Sequence, residues 1–117
     1  MRSFNIRQSI PANATIPDVI QQQGINAYFG KAAAFALYWG CDTVANMFAS
    51  LGSDDGISGK NMVPFGSTVP TLSTPGLCKT SENFIGQFAV DAGSKLLMAV
   101  TNPTGAALIF NALVVVN

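Results

Sequence analysis

The C-terminal stretch, residues 95–117, constrains the fold more than any other part of this chain. Two apolar runs flank the sequence Asn102-Pro103-Thr104-Gly105. Asparagine, proline and glycine in this order are typical of a type I turn followed by a left-handed glycine, which makes a three-residue hairpin loop with a bulge. The sequence therefore predicts that the chain closes with an antiparallel β-hairpin.

The turn also predicts a register for the two strands of this hairpin. Side chains alternate along a strand, so each strand has two faces. One face is expected to carry the opposed pairs Leu96–Ala112, Met98–Phe110 and Val100–Leu108. The other face carries Lys95, Leu97, Ala99 and Thr101 against Ile109, Asn111, Leu113 and Val115. Both faces are largely apolar, which a sheet with one solvated face would not show. We therefore expect the first face to build the core and part of the second to be covered by another layer or subunit.

Charge is scarce and balanced in this chain. Charged residues make up 10% of its 117 residues and the net charge is zero, against roughly 25% charged residues in average soluble domains. Such low charge suits a subunit that buries much of its surface in an assembly. No basic patch is present for nucleic acid, and no polybasic run is present for a membrane surface. The sequence predicts neither kind of partner.

The residue inventory argues against catalysis and metal binding. The chain has no histidine, which excludes Ser-His-Asp and Cys-His arrangements and the commonest metal ligand. Most acidic residues fall in expected loops, and the segment 52–56 lacks the alternating ligands of a calcium loop. We expect no catalytic residue, no cofactor and no metal. Cys41 and Cys78 have no metal-ligand spacing, and we interpret them as buried free thiols rather than a disulfide.

The N-terminal third alternates between extended segments and breaks. Residues 3–10 place Phe4 and Ile6 on one side, which predicts an edge strand before Pro11. Residues 14–20 form a second short extended piece, and 21–24 a polar connection. The opening of the chain lacks the apolar region of a secretory signal.

The middle of the chain is ambiguous. Residues 32–36 are good helix formers, but Phe35, Leu37 and Trp39 alternate with smaller residues. We favour a strand over 25–41, broken near Gly30-Lys31. Residues 43–51 allow a helix, but a strand that pairs back on residues 35–39 is preferred.

The second half begins with polar and irregular segments. A loop at 52–56, an irregular segment at 57–65 and a long ordered loop or two very short strands at 66–79 are expected. Residues 81–92 predict a strand whose inner face carries Phe84, Gly86, Phe88 and Val90. The whole chain, 1–117, is expected to be a single all-β domain, either an antiparallel β-sandwich or a jelly roll. The expected core residues are Phe35, Leu37, Trp39, Phe84, Phe88, Met98, Val100, Leu108, Phe110 and Val114.

Several segments together resemble small β-sandwich structural proteins of tailed bacteriophages. They are the opening IPANATIPDVI, the segment ISGKNMVP and the closing AVTNPTGAALIF. The resemblance runs from about Ile10 to Val116, and its most specific part is Asn-Pro-Thr-Gly-Ala. It implies a non-enzymatic virion protein, such as a head decoration or cement subunit, assembled in the bacterial host cytoplasm. It further implies a homo-oligomer, often a trimer, bound to a major capsid protein.

Under this interpretation the contacts between subunits come from apolar strand surface. The candidate interface residues are Leu97, Ile109, Leu113 and Val115 on the second hairpin face, with Phe4 and Ile6 on the first strand, and the 67–74 loop is a further candidate. The alternative is a module that binds a carbohydrate or receptor through loops between residues 64 and 76. A coat protein that forms the shell itself is disfavoured by the short length and the lack of a basic arm. A membrane span over 96–116 is disfavoured because Asn102, Pro103 and Gly105 interrupt it.

Overall fold

Two antiparallel β-sheets form the body of the protein in the computed structural model, which describes residues 2–43, 47–54 and 60–116, with the side chains of Arg2 and residues 60–67 left out. The elements are β1 (Arg2–Ile10), β2 (Ala14–Ile16), α1 (Val19–Gln22), β3 (Tyr28–Phe29), β4 (Ala33–Cys41), β5 (Phe48–Asp54), β6 (Lys60–Thr68), β7 (Phe84–Val90), β8 (Ser94–Asn102) and β9 (Leu108–Val116). This all-β architecture confirms the predicted fold class.

The order of the strands is that of a jelly-roll sandwich. The four-stranded sheet has the order β1-β9-β4-β7, and the second sheet has the order β2-β8-β5-β6, with β3 also pairing with β8. Of the strands that follow one another along the described chain, β5 and β6 pair as a hairpin. The other successive strands connect the two sheets or share the partner β8.

The predicted C-terminal hairpin is wrong, although both of its strands exist. Strand β8 pairs with β2, β3 and β5, whereas β9 pairs with β1 and β4 in the other sheet. The turn between β8 and β9 is therefore an arch across the sandwich. Gly105 is not among the residues with positive φ, so the expected left-handed glycine is absent as well.

The arch is organised by the side chain of Asn102, which is fully buried. Its Nδ2 donates to the carbonyl oxygens of Ile10 at 3.0 Å and Ala106 at 2.8 Å. Its Oδ1 accepts from the amide of Thr104 at 3.0 Å. Asn102 thus joins the end of β1 in one sheet to the end of β8 in the other, which a hairpin turn would not do.

One core lies between the sheets. For most strands, the alternate residues predicted to face the core do so, which confirms the prediction. Alternate residues of β4, β8 and β9 are buried there. The fully buried side chains include Phe35, Leu37, Trp39, Met98, Val100, Phe110 and Val114, and Phe88 and Leu108 pack against them partly buried. Phe84 is the exception, being 43% exposed. A bulge opposite Leu37 and Tyr38 shifts the register of β7 and turns Phe84 outwards.

Several smaller predictions are also resolved. Strand β1 lies at a sheet edge as expected, the chain breaks at residues 30–31, and residues 33–36 are strand rather than helix. Strand β5 does not pair back on β4 but joins the other sheet, and Lys60–Thr68 is a strand rather than irregular. Cys41 and Cys78 are buried free thiols. Of the predicted 52–56 loop, Gly52 to Asp54 belong to β5, and residues 55–56 lie outside the described part.

The short helix α1 was missed. Asp18 caps it, since Oδ1 accepts from the amide of Ile20 at 3.1 Å. The same oxygen accepts from the amide of Met98 at 3.3 Å. Met98 lies on β8 between the residues that pair with β2 and those that pair with β3, so Asp18 supplies the acceptor that a neighbouring strand would otherwise provide. An acidic residue just before an apolar pair is a helix N-cap signal, and it was available in the sequence.

Candidate interaction surface

The outer face of the four-stranded sheet, the side turned away from the core, is largely apolar. Strand pairing places Leu113 opposite Tyr38, and Tyr38 opposite Phe84, so these three side chains form a row across the sheet. The rings of Tyr38 and Phe84 lie 5.3 Å apart at 57°. A second row runs through Val115 and Ala36. Four of these five side chains are half-buried and Phe84 is exposed, so the rows remain accessible.

Charge on the strands of this outer face is confined to one side. Among the described side chains that the strand pairing assigns to the face, Arg7 carries a charge. Arg7 binds Asp42, with Nη2 to Oδ2 at 2.6 Å and Nη1 to Oδ1 at 3.1 Å. Its Nη1 also donates to Asn111 Oδ1 at 2.9 Å. The charge is thus engaged with its neighbours at one end of the face, and the rows through Leu113 and Val115 are uncharged.

Asp42 connects the sheet to the loop 69–83. Besides Arg7, its Oδ1 accepts from Asn111 Nδ2 at 2.6 Å and from the amide of Gly76 at 3.2 Å. Gly76 has φ +82°, a conformation that glycine adopts without a steric penalty. Burial raises the pKa of Asp42, but the hydrogen bonds from Arg7, Asn111 and Gly76 and the charge of Arg7 together outweigh it. The pKa is therefore held below its ordinary value of 3.8.

A second set of contacts fixes the same loop against the end of β4. The amide of Cys41 donates to the carbonyl of Pro70, and the amide of Leu72 donates to the carbonyl of Cys41, both at 2.8 Å. Gly40 lies so close to Leu72 that a Cβ at this position would overlap the leucine side chain. The loop is therefore a fixed border of the outer face.

A shallow depression lies where this loop meets the outer face. It has a volume of about 510 Å³ and is lined by Tyr38, Phe84 and Gln87 on the sheet and by the loop residues Lys79 and Ser81. The two aromatic rings are tilted against each other rather than coplanar. The depression therefore does not offer one flat aromatic platform.

The outer face of the five-stranded sheet has a different character. A groove of about 550 Å³ there is lined by Asp18, Gln21, Asp54 and Lys95, together with Leu97. Charged and amide side chains thus share the groove with Ile16, Pro17 and Leu97. This groove has the mixed polarity of an ordinary solvated surface.

The predicted interface residues are divided among three places. Ile109, Leu113 and Val115 are half-buried on the outer face of the four-stranded sheet. Leu97 belongs to the other sheet and is only 7% exposed.

The predicted interface role of Phe4 and Ile6 must be corrected. They are 6% and 0% exposed, respectively, and lie in the core. They therefore have no surface to offer a partner. Alternation along β1 separates two sides of the strand, but the sequence does not show which of the two sides packs against the other sheet.

Tyr38, Ala36 and Phe84 were missed as surface residues. Tyr38 and Ala36 could have been found, because their alternation with Phe35, Leu37 and Trp39 places them on the opposite side of β4. Phe84 could not, because the bulge that turns it outwards has no sequence signal that we recognise.

Neither a metal-binding cluster nor a candidate membrane-spanning helix is found in the described part of the chain. Burial raises the pKa of the Cys78 thiol, which makes it less nucleophilic at neutral pH.

No protein-family model matches this chain, and no curated protein matches it either.

Proposed function

We propose that this protein is a non-enzymatic structural subunit of a virus particle, which assembles through the outer face of its four-stranded sheet. The observation that carries the proposal is the pair of uncharged apolar rows through Leu113 and Val115 on that face. Apolar strand surface of this kind is typical of the core of permanent interfaces, where charged residues are depleted. Further copies of the same chain are the proposed occupants.

The chemistry of the face supports assembly with like copies. The chain has zero net charge, so copies do not repel one another strongly. Arg7, the charged side chain of the face, is already engaged by Asp42 and Asn111, so it does not have to be stripped of water alone when the face is covered. Lys79 of the loop lies beside Tyr38 and Phe84, and its long side chain can keep its charge in water at the rim while the apolar rows are covered.

The virion setting comes from the resemblance to phage structural proteins, and the fold is compatible with it. Jelly rolls occur in viral capsids and also in lectins, so the fold does not choose between these roles. The resemblance favours a decoration or cement subunit that contacts a major capsid protein. Particles purified by density gradient from the culture that produces the chain should then contain it in stoichiometric amounts. Its absence from them would remove the virion setting.

The test of the outer face is the variant Leu113→Asp, examined by light scattering. A carboxylate in the apolar row must lose its water when a partner covers it, which is costly. We expect the wild type to form an assembly of more than two copies and the variant to have a smaller mass.

The matched control is Phe48→Asp, which places the same charge at a 49% exposed residue on the other sheet. This variant should keep the wild-type mass. Circular dichroism should show that both variants remain folded. If Leu113→Asp has the same mass as the wild type, the outer face is not the assembly surface.

A further inference from the structure

Strand β7 differs from the other edge strands because it has neither a charge nor a proline, and its bulge at residue 85 leaves residues 86–90 regularly paired. Native proteins protect sheet edges with charges, prolines or very short strands. Strand β1 contains Arg2 and Arg7, and β6 contains Lys60 and Pro64. Strand β2 has three residues and is followed directly by Pro17. Strand β7, with the sequence FIGQFAV, has seven residues, no charge and no proline.

The other side of β7 is open to pairing. In the sheet order of the described residues, β7 has β4 as its one neighbour. Phe84, Gln87 and Ala89 are exposed, and even Phe88 on the inner side is only half-buried. The register with β4 is regular from Gly86 to Val90, so no bulge interrupts this part of the edge. The backbone groups on the open side of such a strand are a template for pairing.

We propose that β7 pairs antiparallel with β7 of a second copy, around a twofold axis close to Gln87. The proposal deepens the assembly function and rests on it. Pairing in this way extends the four-stranded sheet of one copy into that of the other. The two outer faces then become one continuous apolar surface, which is the surface that binds further copies.

A second copy fits this edge better than an unrelated strand does. Antiparallel pairing of a strand with its own copy satisfies the backbone groups of both in one closed, twofold interface. No like charges meet in it, because β7 has none. Gln87 meets Gln87 of the other copy directly or diagonally, and a carboxamide both donates and accepts, so the two are complementary. A twofold contact gives a dimer or an even-numbered assembly, not the trimer that the resemblance implies.

The experiment is a charge exchange at Gln87. In Gln87→Lys or Gln87→Glu alone, like charges face each other across the axis, which destabilises the pair. We expect each variant to lose the dimeric contact at low salt, and an equimolar mixture of the two to regain it as a mixed dimer. Light scattering gives the masses, and native mass spectrometry identifies the mixed species. Because Gln87 is exposed, both variants should fold normally.

The matched control is Gln22→Lys, which makes the same exchange at an exposed position on α1, beside the other sheet. This variant should keep the contact. The pairing is refuted if either Gln87 variant associates as the wild type does, if the mixture fails to associate, or if the wild type is a trimer or a monomer.

The variant Leu113→Asp separates this proposal from the assembly function. It lies two strands away from the β7 edge and should leave the dimer intact while removing larger assemblies. If Leu113→Asp reduces the mass and the Gln87 variants do not, the outer face stands and the β7 pairing fails. If only the Gln87 variants reduce the mass, the edge pairing stands and the outer face fails.

Discussion

Asp42 holds one border of the outer face through hydrogen bonds from three parts of the chain. They come from Arg7 on β1, Asn111 on β9 and Gly76 in the loop. Each donor alone would contribute little, since Arg7 is 48% exposed in its side chain and exposed ion pairs are weak. The Asp42 side chain is only 11% exposed, so the hydrogen bonds to it are better protected from water. One carboxylate thus ties the loop to both β1 and β9.

Replacement of Asp42 by Asn should lower the free energy of unfolding by about 1–2 kcal/mol at neutral pH, because hydrogen bonds to a charged group are lost. The pKa of Asp42 is lowered in the folded state, so the unfolded state binds more protons in acid. The wild type therefore has this stability in full above the unfolded pKa and loses it as the pH falls through the folded pKa. The difference between wild type and variant should be constant near neutrality and shrink in acid.

Urea unfolding at a series of pH values measures this difference. The control is Asp91→Asn, since Asp91 is an exposed acid between β7 and β8. It should change the stability by no more than about 0.5 kcal/mol, as expected for exposed positions. A difference between wild type and Asp42→Asn that stays the same from neutral to acid pH would contradict the role assigned to the carboxylate.

The strands of this fold could be largely predicted from the sequence, but their partners could not. Alternation is a local property, and it placed β1, β4, β8 and β9 and gave most of their inward side chains correctly. The choice between a hairpin and an arch depends on which strands pair across the whole chain. Asparagine followed by proline begins either connection, so the pattern at Asn102 was compatible with both.

The candidate surface was predictable to the same extent. Leu113 and Val115 were correctly placed on one outer face because alternation within a single strand is enough to show it. Leu97 was wrongly grouped with them because the hairpin would have joined its strand to theirs. The exposure of Phe84 at a bulge and the burial of Phe4 in the core depend on tertiary contacts. A local sequence pattern does not show such contacts.

The arch between β8 and β9 yields a prediction of its own. In Asn102→Ala the carbonyl groups of Ile10 and Pro11 lose the Nδ2 donor, and the amide of Thr104 loses its acceptor. The Ala106 carbonyl loses the same donor but keeps the hydrogen bond from Thr104 Oγ1. We expect a loss of about 2–3 kcal/mol in the free energy of unfolding, since buried polar groups left without partners are costly.

The variant Asn102→Asp sharpens this test. Its carboxylate accepts but cannot donate, so it faces three carbonyl oxygens unfavourably and should be less stable than Asn102→Ala at neutral pH. Asn5→Ala, at an exposed position, is the control and should change little. Denaturant unfolding provides the comparison. If Asn102→Ala is as stable as the wild type, the side chain does not hold the arch.

At the scale of the whole molecule, both sheets share one core. Phe110 is fully buried on β9, and its ring lies 6.3 Å from that of Trp39 on β4. The same cluster contains Met98 and Val100 from the other sheet. Because the chain crosses between the sheets repeatedly, neither sheet is a continuous segment that could fold by itself. The sandwich should therefore unfold in one cooperative transition.

The variant Phe110→Ala tests whether the two sheets unfold together. A cavity at a buried phenylalanine costs about 3–5 kcal/mol, a large part of the roughly 5–15 kcal/mol that stabilises a domain. The melting temperature should fall by at least about 6 °C.

Trp39 is the single tryptophan, so its fluorescence reports on the core, while far-UV circular dichroism reports on both sheets. The two signals should fall together in wild type and variant, measured at one protein concentration because assembly shifts the midpoint. Phe48→Ala, at a 49% exposed phenylalanine, should melt close to the wild type. A circular dichroism transition that persists after the fluorescence has changed would show that one sheet survives alone, contrary to a shared core.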